Sequence, residues 1–372
     1  MKLNLDTFLP KLNLVNSVVN AKTVIPIQGA FLLHTENGML YVNASDGENT
    51  VSVSVKPIEC TDLRVCVNAN DFFKALSNLR GEEIDVLLNE EKHLIRCQYK
   101  SGYFQLPYEY DPMASAVLEI QEDEYHIEKD IDAADLAEAI MRVEVASPDD
   151  NIRPQFNGVH FDFKQDGMVA AATDANKLSK FVTNIKTDIE ATGFTIQKKS
   201  AHILTSLMEN EDTVSMKVGD KTVLFKSEGF TMTTRLSEHP YPNYDSLIPN
   251  DNTTIAVLNK DLVLNAIKRV TPMGDEKNEL LKMTFANNTV IIEAENVYLG
   301  KLAKERIECK YDGEQITVGV NSKSIVALVQ VMDDEEFEMC FKSSRHAIII
   351  KPLSDLKERL TTLIMPLLLK NV

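Results

Sequence analysis

The densest group of residues that could do chemistry in this 372-residue chain is a run of carboxylates. It consists of Asp333, Asp334, Glu335, Glu336 and Glu338, and such groups can hold a cation or act as acid and base in a hydrolase. The same run is typical of a solvated turn after a helix, because adjacent carboxylates in a flexible segment seldom converge. A hydrolase that loses activity when Asp334 and Glu335 are changed to Ala stays open as one hypothesis.

The histidines and cysteines form no recognisable catalytic or metal-binding motif. The seven His residues stand singly, and the chain has no HExxH, no GxGxxG and no GxxxxGK[ST] sequence. The cysteines are odd in number and have no CxxC pair, which predicts buried thiols in a reducing cytoplasm rather than disulfides or a zinc site: Cys60, Cys66, Cys97, Cys309 and Cys340. We therefore expect no enzyme, no cofactor and no metal.

Composition and charge are those of an ordinary soluble globular protein. Hydrophobic residues make up 44% and charged residues 26% of the chain, and the length suggests two or three domains. The start, MKLNLDTFLPKLNL, is interrupted by Asp6, Pro10 and Lys11, so we expect no membrane span and a cytoplasmic protein. The net charge of −17 argues against nonspecific coating of nucleic acid but does not exclude DNA contact through one basic face.

A threefold internal repeat organises the chain. Two strand pairs, AFLLHTENGMLYVNASDGE and VHFDFKQDGMVAAATDANK, are each built around a Gly-Met turn, Gly38–Met39 and Gly167–Met168. A third, LKMTFANNTVIIEAENVY, has Asn288–Thr289 at that place. The spacing fills the chain and predicts an α+β protein of three domains, 1–125, 126–248 and 249–372.

Each repeat also carries two amphipathic segments with helical spacing. The first kind spans 5–19, 132–147 and 259–273, and the second spans 67–80, 196–208 and 320–332. In the second kind an Asn, Ser or Asp before the apolar run can cap the helix. Alternating runs such as TVSVSVKP, TVLFKSEGFTMTTRL and AIIIKPL predict antiparallel strands, and the apolar tail TLIMPLLL predicts the last strand of the third repeat.

Charge separates between these helices and the rest of the chain. The six helical segments together carry +3, which leaves −20 for everything else. If the helices share one side of an assembly, that side tolerates DNA while the opposite side repels it. The cations that could touch phosphates are Lys74, Arg80, Lys198, Lys199, Lys268, Arg269 and Lys323, although the helix at 132–147 is acidic and fits this interpretation badly.

The sequence resembles the bacterial sliding clamp family, the beta subunit of DNA polymerase III. The segments that carry the resemblance are NAKTVIPIQGAFLLHTENGMLYVNASD, NGVHFDFKQDGMVAAATDANKLSKF, TTRLSEHPYPNYDSLIP and the closing IMPLLL, and they span all three repeats. It implies a head-to-tail homodimer whose three clamp domains per chain form a ring, with helices inside and sheets outside. Double-stranded DNA passes through such a ring, which slides and tethers the replicative polymerase, the clamp loader and other proteins.

The resemblance also implies positions for three kinds of contact. Short partner peptides would bind a pocket between the second and third domains, formed by Phe156, Thr173, Ala175, Asn176, Lys177, Leu178, Pro242, Leu247, Leu363, Met365, Pro366, Leu367 and Leu368. The joint between protomers would pair Phe104 and Leu106 with Pro272 and Met273, and further DNA contacts would come from Lys22, Arg153 and Gln155.

Departures from the family accompany the resemblance. The family usually has Gly-His-Arg in place of Ala175, Asn176 and Lys177, and Arg in place of Leu368. A clamp-fold scaffold that binds partner peptides without encircling DNA stays open as an alternative function, and a stable monomer would favour it.

Overall fold

The structure, a computed structural model, describes residues 1–19, 25–79, 81–110, 116–121, 123–148, 152–164, 167–186 and 192–369. These residues contain six α-helices: α1 Leu5–Asn16, α2 Ala69–Ser77, α3 Ala133–Val143, α4 Lys198–Leu207, α5 Lys260–Val270 and α6 Ser322–Gln330. All six lie where helical spacing predicts them. With the antiparallel strands given next, they confirm the α+β prediction.

Twenty-five strands accompany the helices in the described residues. They are β1 Lys2–Asn4, β2 Ala30–Glu36, β3 Met39–Ser45, β4 Asn49–Val55, β5 Arg64–Asn68, β6 Glu83–Asn89, β7 Leu94–Tyr99, β8 Gly102–Glu109, β9 Tyr125–Asp132, β10 Val159–Lys164, β11 Gly167–Thr173, β12 Lys177–Val182, β13 Thr192–Ile196, β14 Thr213–Gly219, β15 Thr222–Lys226, β16 Phe230–Arg235, β17 Thr254–Asn259, β18 Leu280–Ala286, β19 Thr289–Asn296, β20 Lys301–Glu308, β21 Lys310–Tyr311, β22 Ile316–Asn321, β23 Glu336–Phe341, β24 Ile348–Pro352 and β25 Leu360–Ile364.

Asparagine side chains begin four of the helices. Asn68 and Asn321 cap α2 and α6 by accepting a hydrogen bond from the amide three residues on, which confirms the predicted caps. Asn259 does the same for α5, and Asn4 caps α1 by accepting from the amide of Asp6, two residues on. The first and third repeats therefore begin their helices in the same way, because an orphan amide at each N-terminus needs an acceptor.

The hairpin turns lie slightly earlier than predicted. Asn37 and Gly38 have φ of 51° and 77°, and Asn287 and Asn288 have φ of 48° and 56°, so these pairs form the turns, while Met39 and Thr289 already begin strands. Gly167 and Met168 likewise belong to β11, so the predicted Gly-Met turns are wrong. Both central residues of a tight hairpin need positive φ, which Asn and Gly tolerate and Met does not.

One compact unit comprises Met1–Ala134 and His202–Leu236. Its sheet has twelve strands in the order β1-β6-β7-β8-β5-β2-β3-β4-β16-β15-β14-β9. The core lies beneath α1 and α2, where the buried rings of Phe8 and Phe72 meet edge to face at 6.5 Å. Phe31 from β2 meets Phe72 at the same distance, which ties sheet to helices.

The second compact unit comprises Asp135–Ala201 and Ser237–Val372. It contains a nine-stranded sheet, β13-β10-β11-β12-β25-β24-β23-β17-β21, and a four-stranded sheet, β20-β19-β18-β22. The buried ring of Phe285 packs 5.0 Å from Phe341, which joins the two sheets through aromatic contact. Within the larger sheet, β12 from the central repeat pairs directly with β25 from the third repeat.

The apolar tail is a strand for only part of its length. β25 ends at Ile364, and beyond it Leu367 forms one isolated bridge with Gly319 while the side chain of Leu368 is 81% exposed. Pro366 has no amide to donate, so the ladder cannot continue through it. Lys370, Asn371 and Val372 lie outside the described residues.

The cysteine prediction is only partly confirmed. Cys66, Cys97 and Cys340 are buried free thiols, and burial raises the pKa of Cys97 to about 12. Cys60 is exposed and Cys309 is half-buried, which contradicts the expectation for those two. Cys60 lies in the connection between β4 and β5, within the exposed stretch 58–62.

Candidate functional site

The floor of the candidate site is the junction of β12 and β25. Leu178 and Leu363 are directly opposite each other across this antiparallel pair, and both are buried. They form one apolar cluster with Val169, Ala171 and Tyr244. Side chains alternate between the faces of a strand, so Lys180 shares the face of Leu178.

A tightly hydrogen-bonded turn forms the first wall. The Asp174 carboxylate accepts the amides of Asn176 and Lys177 at 2.8 Å each, and the Thr173 hydroxyl donates to the carbonyl of Lys177 at 2.7 Å. The ammonium of Lys177 lies 2.9 Å from Asp174, with both side chains largely buried. Ala175 has a φ of 74°, a left-handed conformation that favours glycine.

A loop that follows β16 crosses the same face of the sheet and forms the second wall. The ring of Tyr241 stacks on His160 with centroids 4.4 Å apart, and the Tyr244 hydroxyl donates to Asp162 at 2.8 Å. Asp245 accepts hydrogen bonds from Lys164 and Lys180 at 2.7 and 2.6 Å. These contacts fix the loop to β10 and β12.

The loop so anchored presents apolar groups beside the floor. Leu247 lies on the 3₁₀ turn Asp245–Leu247 and is 49% exposed, and Pro242 is half-buried. Ile248 packs against the cluster of Leu178 and Leu363. The loop therefore adds an exposed apolar edge to a buried apolar floor.

Burial and neighbouring charges shift the pKa values of three side chains in and beside the second wall. It lowers the pKa of His160 to about 4, against the opposing charge of Asp162. Burial raises the pKa of Tyr244, and the hydrogen bond to Asp162 raises it further. Burial alone would raise the pKa of Asp245, but Lys164 and Lys180 outweigh it and hold that pKa below its usual value.

The C-terminal segment forms the third wall. The amide of Met365 donates to the carbonyl of Asn176 at 2.7 Å, which joins the tail to the first wall. Met365 is 41% exposed, while Pro366 and Leu367 are half-buried. The amide of Leu367 donates to Gly319, and a Cβ at Gly319 would lie 2.7 Å from the Leu367 oxygen, so glycine is needed at this approach.

Most of the predicted pocket residues lie on these three walls and the floor. The exception is Phe156, which lies on the 3₁₀ turn Pro154–Phe156 with the Arg153 guanidinium 5.4 Å from its ring centre. The sequence analysis missed His160, Asp174, Tyr241, Tyr244 and Asp245. The dense Tyr, Pro and Asp content of HPYPNYD is the signal that could have identified these loop residues.

The predicted DNA-contacting cations differ in their surroundings. Lys74, Lys199, Lys268 and Arg153 are exposed, and Gln155 is half-buried. Arg269 is paired with Glu305, Lys323 with Glu279, and half-buried Lys198 donates to the carbonyl of Ser147 at 3.3 Å. Lys22 and Arg80 lie outside the described residues.

The acidic helix α3 is explained by internal ion pairs. Its Glu138 accepts from Arg142 at 3.0 Å and from Arg359 at 3.3 Å, and Arg142 also binds Asp333. Arg359 in turn lies over the ring of Phe181, at the other end of the β12–β25 pair. Glu138 and Asp333 therefore act within the fold, where they join α3 to the sheet junction and to the turn after α6.

The carboxylates after α6 also have separate structural partners. Asp334 accepts from the amide of Ser354 at 2.7 Å, and Glu336 pairs with Lys310 at 2.9 Å. Among the described residues, no three His, Cys, Asp or Glu side chains are grouped so that they could hold a metal ion. The hydrolase hypothesis therefore gains no converging pair of carboxylates.

The predicted joint residues lie beside two open strand edges. Phe104 and Leu106 are half-buried on β8, whose Gly102–Pro107 stretch pairs with β7 and, in the described residues, with no strand on its other edge. β20 is likewise the edge of its sheet. Pro272 and Met273 are exposed on the 3₁₀ turn Thr271–Met273, which packs against β19 and β20.

The hairpin between β19 and β20 ends in bare apolar side chains. Val297, Tyr298 and Leu299 are 75%, 94% and 66% exposed, and Leu302 beside them is 57% exposed. We call Val297–Leu299 with Leu302 the hairpin tip. So much adjacent apolar surface is typical of a protein interface.

The chain has a three-domain clamp fold, and family models match it in three successive parts. The N-terminal domain of the DNA polymerase III beta subunit matches residues 1–109, its central domain 130–243 and its C-terminal domain 245–368. The chain therefore belongs to the DNA polymerase III beta subunit family, the bacterial sliding clamps.

Individual relatives agree over almost the whole chain. The beta sliding clamp of Halalkalibacterium halodurans is 22% identical over 366 residues, which cover 93% of this chain and 94% of that protein. The beta subunit structures of Thermotoga maritima and Pseudomonas aeruginosa each superpose with a TM-score of 0.90 at 22% and 19% identity, covering 99% of this chain and 99% and 100% of theirs. No helix in the described residues is long and apolar enough to cross a membrane.

Proposed function

We propose that this protein is a noncatalytic DNA polymerase processivity factor, a homodimeric ring that encircles duplex DNA and slides along it. The observation that carries the proposal is the match of three consecutive clamp domains, which together span residues 1–368. The proposed domains are 1–125, 126–248 and 249–372, and the proposed compartment is the cytoplasm. No cofactor takes part.

Two open edges and one apolar tip support the proposed head-to-tail joint. Within the part of the chain that the structure describes, β8 and β20 each offer backbone groups without a strand partner, which an antiparallel strand of another protomer would satisfy. Phe104, Leu106 and Met273 lie beside these edges, and the hairpin tip adds apolar area that water now covers. In a closed ring each protomer contributes one edge of each kind, so both surfaces are buried.

The charge distribution of the chain supports a ring that slides along DNA and does not bind it tightly. The net charge of −17 opposes nonspecific adhesion to DNA, while exposed Lys74, Lys199 and Lys268 come from helices of all three repeats. Topological linkage needs only weak phosphate contacts. Arg153, Gln155, Lys198, Arg269 and Lys323, with Lys22 and Arg80, complete the proposed contact set.

The three-walled pocket supports tethering of partner proteins. Its buried floor of Leu178 and Leu363 and its exposed rim of Leu247 and Met365 fit a short extended peptide with apolar side chains. The proposed partners are the replicative polymerase catalytic subunit, the clamp loader and other proteins that carry such peptides.

Sedimentation velocity at micromolar concentration tests the assembly. A dimer of the 41.7 kDa chain is the expected species. A stable monomer that still binds peptide would contradict the ring and favour the scaffold that does not encircle DNA. A variant with Phe104→Ser and Met273→Ser should sediment as a monomer, whereas Leu353→Ser, at an exposed apolar residue that follows β24, is the matched control.

A further inference from the structure

The junction of β4 and β16 in the first compact unit is built like the junction of β12 and β25 in the second. In both, a strand of one repeat pairs antiparallel with a strand of the next. Asp46 accepts the amides of Glu48 and Asn49 at 3.0 and 2.7 Å just before β4, as Asp174 does before β12. The carboxamide of Asn49 also donates to Asp46 at 3.2 Å, in the place of the Lys177 ammonium. The two junctions can therefore be compared position by position.

The floors of the two junctions differ in chemistry. Thr50 and Thr233 are opposite each other across β4 and β16, where the other junction has Leu178 and Leu363. Residues opposite each other, or two apart on one strand, share a face of the sheet. By this register one face of the β4–β16 junction carries five uncharged polar side chains, which we call the polar floor: Asn43, Thr50, Ser52, Thr231 and Thr233.

Two members of the polar floor are buried without a hydrogen-bond partner. Asn43 and Thr233 are 4% and 6% exposed. Among the described residues, neither the carboxamide oxygen of Asn43 nor the hydroxyl of Thr233 has a partner, and the same holds for the carboxamide oxygen of Asn49. By contrast, the Thr50 hydroxyl donates to that of Ser45 at 3.0 Å. An unpaired buried polar atom destabilises a fold, so each of these atoms needs an explanation.

The rest of the floor is open to a ligand. Thr50, Ser52 and Thr231 are half-buried, so solvent reaches the floor between the two unpaired side chains. The floor spans β3, β4 and β16, about 10 Å across three strands, which is the length of about three residues of extended peptide. An extended peptide therefore fits its dimensions.

The unpaired atoms decide which ligand groups fit. The Asn43 oxygen needs an N–H or O–H donor, and the Thr233 hydroxyl can donate or accept. An apolar ligand would leave both atoms unpaired. A carboxamide side chain offers two N–H groups and one carbonyl oxygen, and so complements both atoms without bringing a charge onto an uncharged floor.

We propose that the polar floor is a second ligand site, which takes an extended peptide segment with glutamine or asparagine side chains. The inference goes beyond the proposed function, since it depends neither on ring closure nor on the apolar pocket. In the free protein the unpaired atoms disfavour the folded state, and the carboxamides of a bound peptide pair them.

Fluorescence anisotropy with the full-length protein tests the site. The probe is a fluorescein-labelled peptide with blocked ends, Gly-Gln-Ser-Gln-Gly, which should bind saturably. Its twin Gly-Glu-Ser-Glu-Gly has the same shape but no side-chain N–H, and should bind about tenfold more weakly. Asn43→Leu and Thr233→Val should each weaken binding of the glutamine peptide about fivefold. Absence of saturable binding, or equal binding of the two peptides, would overturn the proposal.

Two control proteins show where the glutamine peptide binds. Thr361→Val, on β25 at the place that corresponds to Thr231 on β16, should leave its affinity unchanged. Met365→Ala with Leu367→Ala, which alters the apolar pocket, should also leave it unchanged. Binding that is lost in this double variant and kept in Asn43→Leu would place the peptide in the apolar pocket and overturn the proposal.

Urea unfolding without peptide supplies a readout that needs no ligand. Thr233→Val replaces an unpaired hydroxyl with a methyl group of similar size, so it should raise the urea midpoint. Thr362→Val makes the same change at a buried hydroxyl that donates to the carbonyl of Ile350 at 2.8 Å, and should lower the midpoint. A midpoint lowered in both variants would show that the Thr233 hydroxyl is already paired in the free protein, which contradicts the proposal.

Discussion

The pocket and the hairpin tip are both apolar surfaces, but they differ in how complete they are. At the pocket, each wall is fixed by internal bonds: Asp174 holds the turn, Asp245 holds the loop, and Met365 ties the tail to Asn176. At the tip, Tyr298 is 94% exposed on a four-residue connection between two strands. In the proposed ring, the first is a preformed receptor for a partner peptide, and the second is half of an interface that another protomer completes.

The largest expected effect comes from placing a charge in the tip. Tyr298→Glu should weaken dimerisation about 100-fold, because the carboxylate would be buried without a partner when the joint closes. Sedimentation at a series of concentrations measures the change. Ile152→Glu, at a residue that is 82% exposed on another loop, is the control and should leave the dimer intact. An unaltered dimer in Tyr298→Glu would remove the tip from the joint.

Peptide binding at the pocket should be lost without any loss of dimerisation at the joint. Met365→Ala combined with Leu367→Ala should weaken binding of a polymerase tail peptide about 50-fold, since two apolar contacts disappear from the third wall. The same protein should still sediment as a dimer. Peptide affinity equal to that of the unmodified protein would show that the tail does not form the pocket.

The half-buried His160 offers a test of whether the second wall is preformed. His160 has a pKa of about 4 in the folded protein, below its unfolded value, so the unfolded chain takes up the proton first as pH falls. Stability is therefore complete above about pH 6.5 and is lost as pH falls toward 4. His160→Phe keeps a ring against Tyr241, and its unfolding free energy should fall about 2 kcal/mol less over this window. Urea titrations at several pH values test this, and parallel pH profiles for the two proteins would contradict it.

The smallest expected effect tests whether the turn that forms the first wall is strained. Ala175 has a φ of 74°, where its Cβ is strained, and glycine removes that strain. This gain should exceed the cost of the greater conformational entropy of glycine in the unfolded chain, so Ala175→Gly should stabilise the protein by about 0.5 kcal/mol. Ala175→Val should have the opposite sign, because a β-branched residue tolerates this backbone poorly. Urea unfolding gives both values, and a glycine variant less stable than the parent would show that the turn is not strained.

Local features of the fold could be predicted from the sequence. Helical spacing located all six helices, since each has a sustained apolar face, and alternation located β4, β16 and β24. The hairpin turns were predicted too late in the chain because the prediction relied on the Gly-Met pairs. The positive φ of Asn37 is the stronger constraint on the position of the turn. The acidity of α3 could not be explained from the sequence, because Arg359, which lies beside Glu138 in the fold, is far along the chain.

The pocket's polar framework could not be predicted in the same way. Asp245 is 81 residues from Lys164 and 65 from Lys180, and nothing local marks these as partners. Likewise, the stacking of the loop residue Tyr241 on His160 of β10 cannot be inferred from either local sequence. Family resemblance supplied the apolar residues of the pocket, whereas the neutralised lysines depend on side-chain geometry that only the folded chain provides.

Retention on DNA with closed ends tests the sliding ring most directly. Labelled protein is allowed to thread onto a linear duplex with biotin at both ends, streptavidin then blocks the ends, and salt is raised to about 0.5 M NaCl to remove adhesive contacts. The ring predicts that protein stays on the blocked DNA and leaves once a restriction enzyme opens it. Equally fast loss from blocked and opened DNA would contradict encirclement.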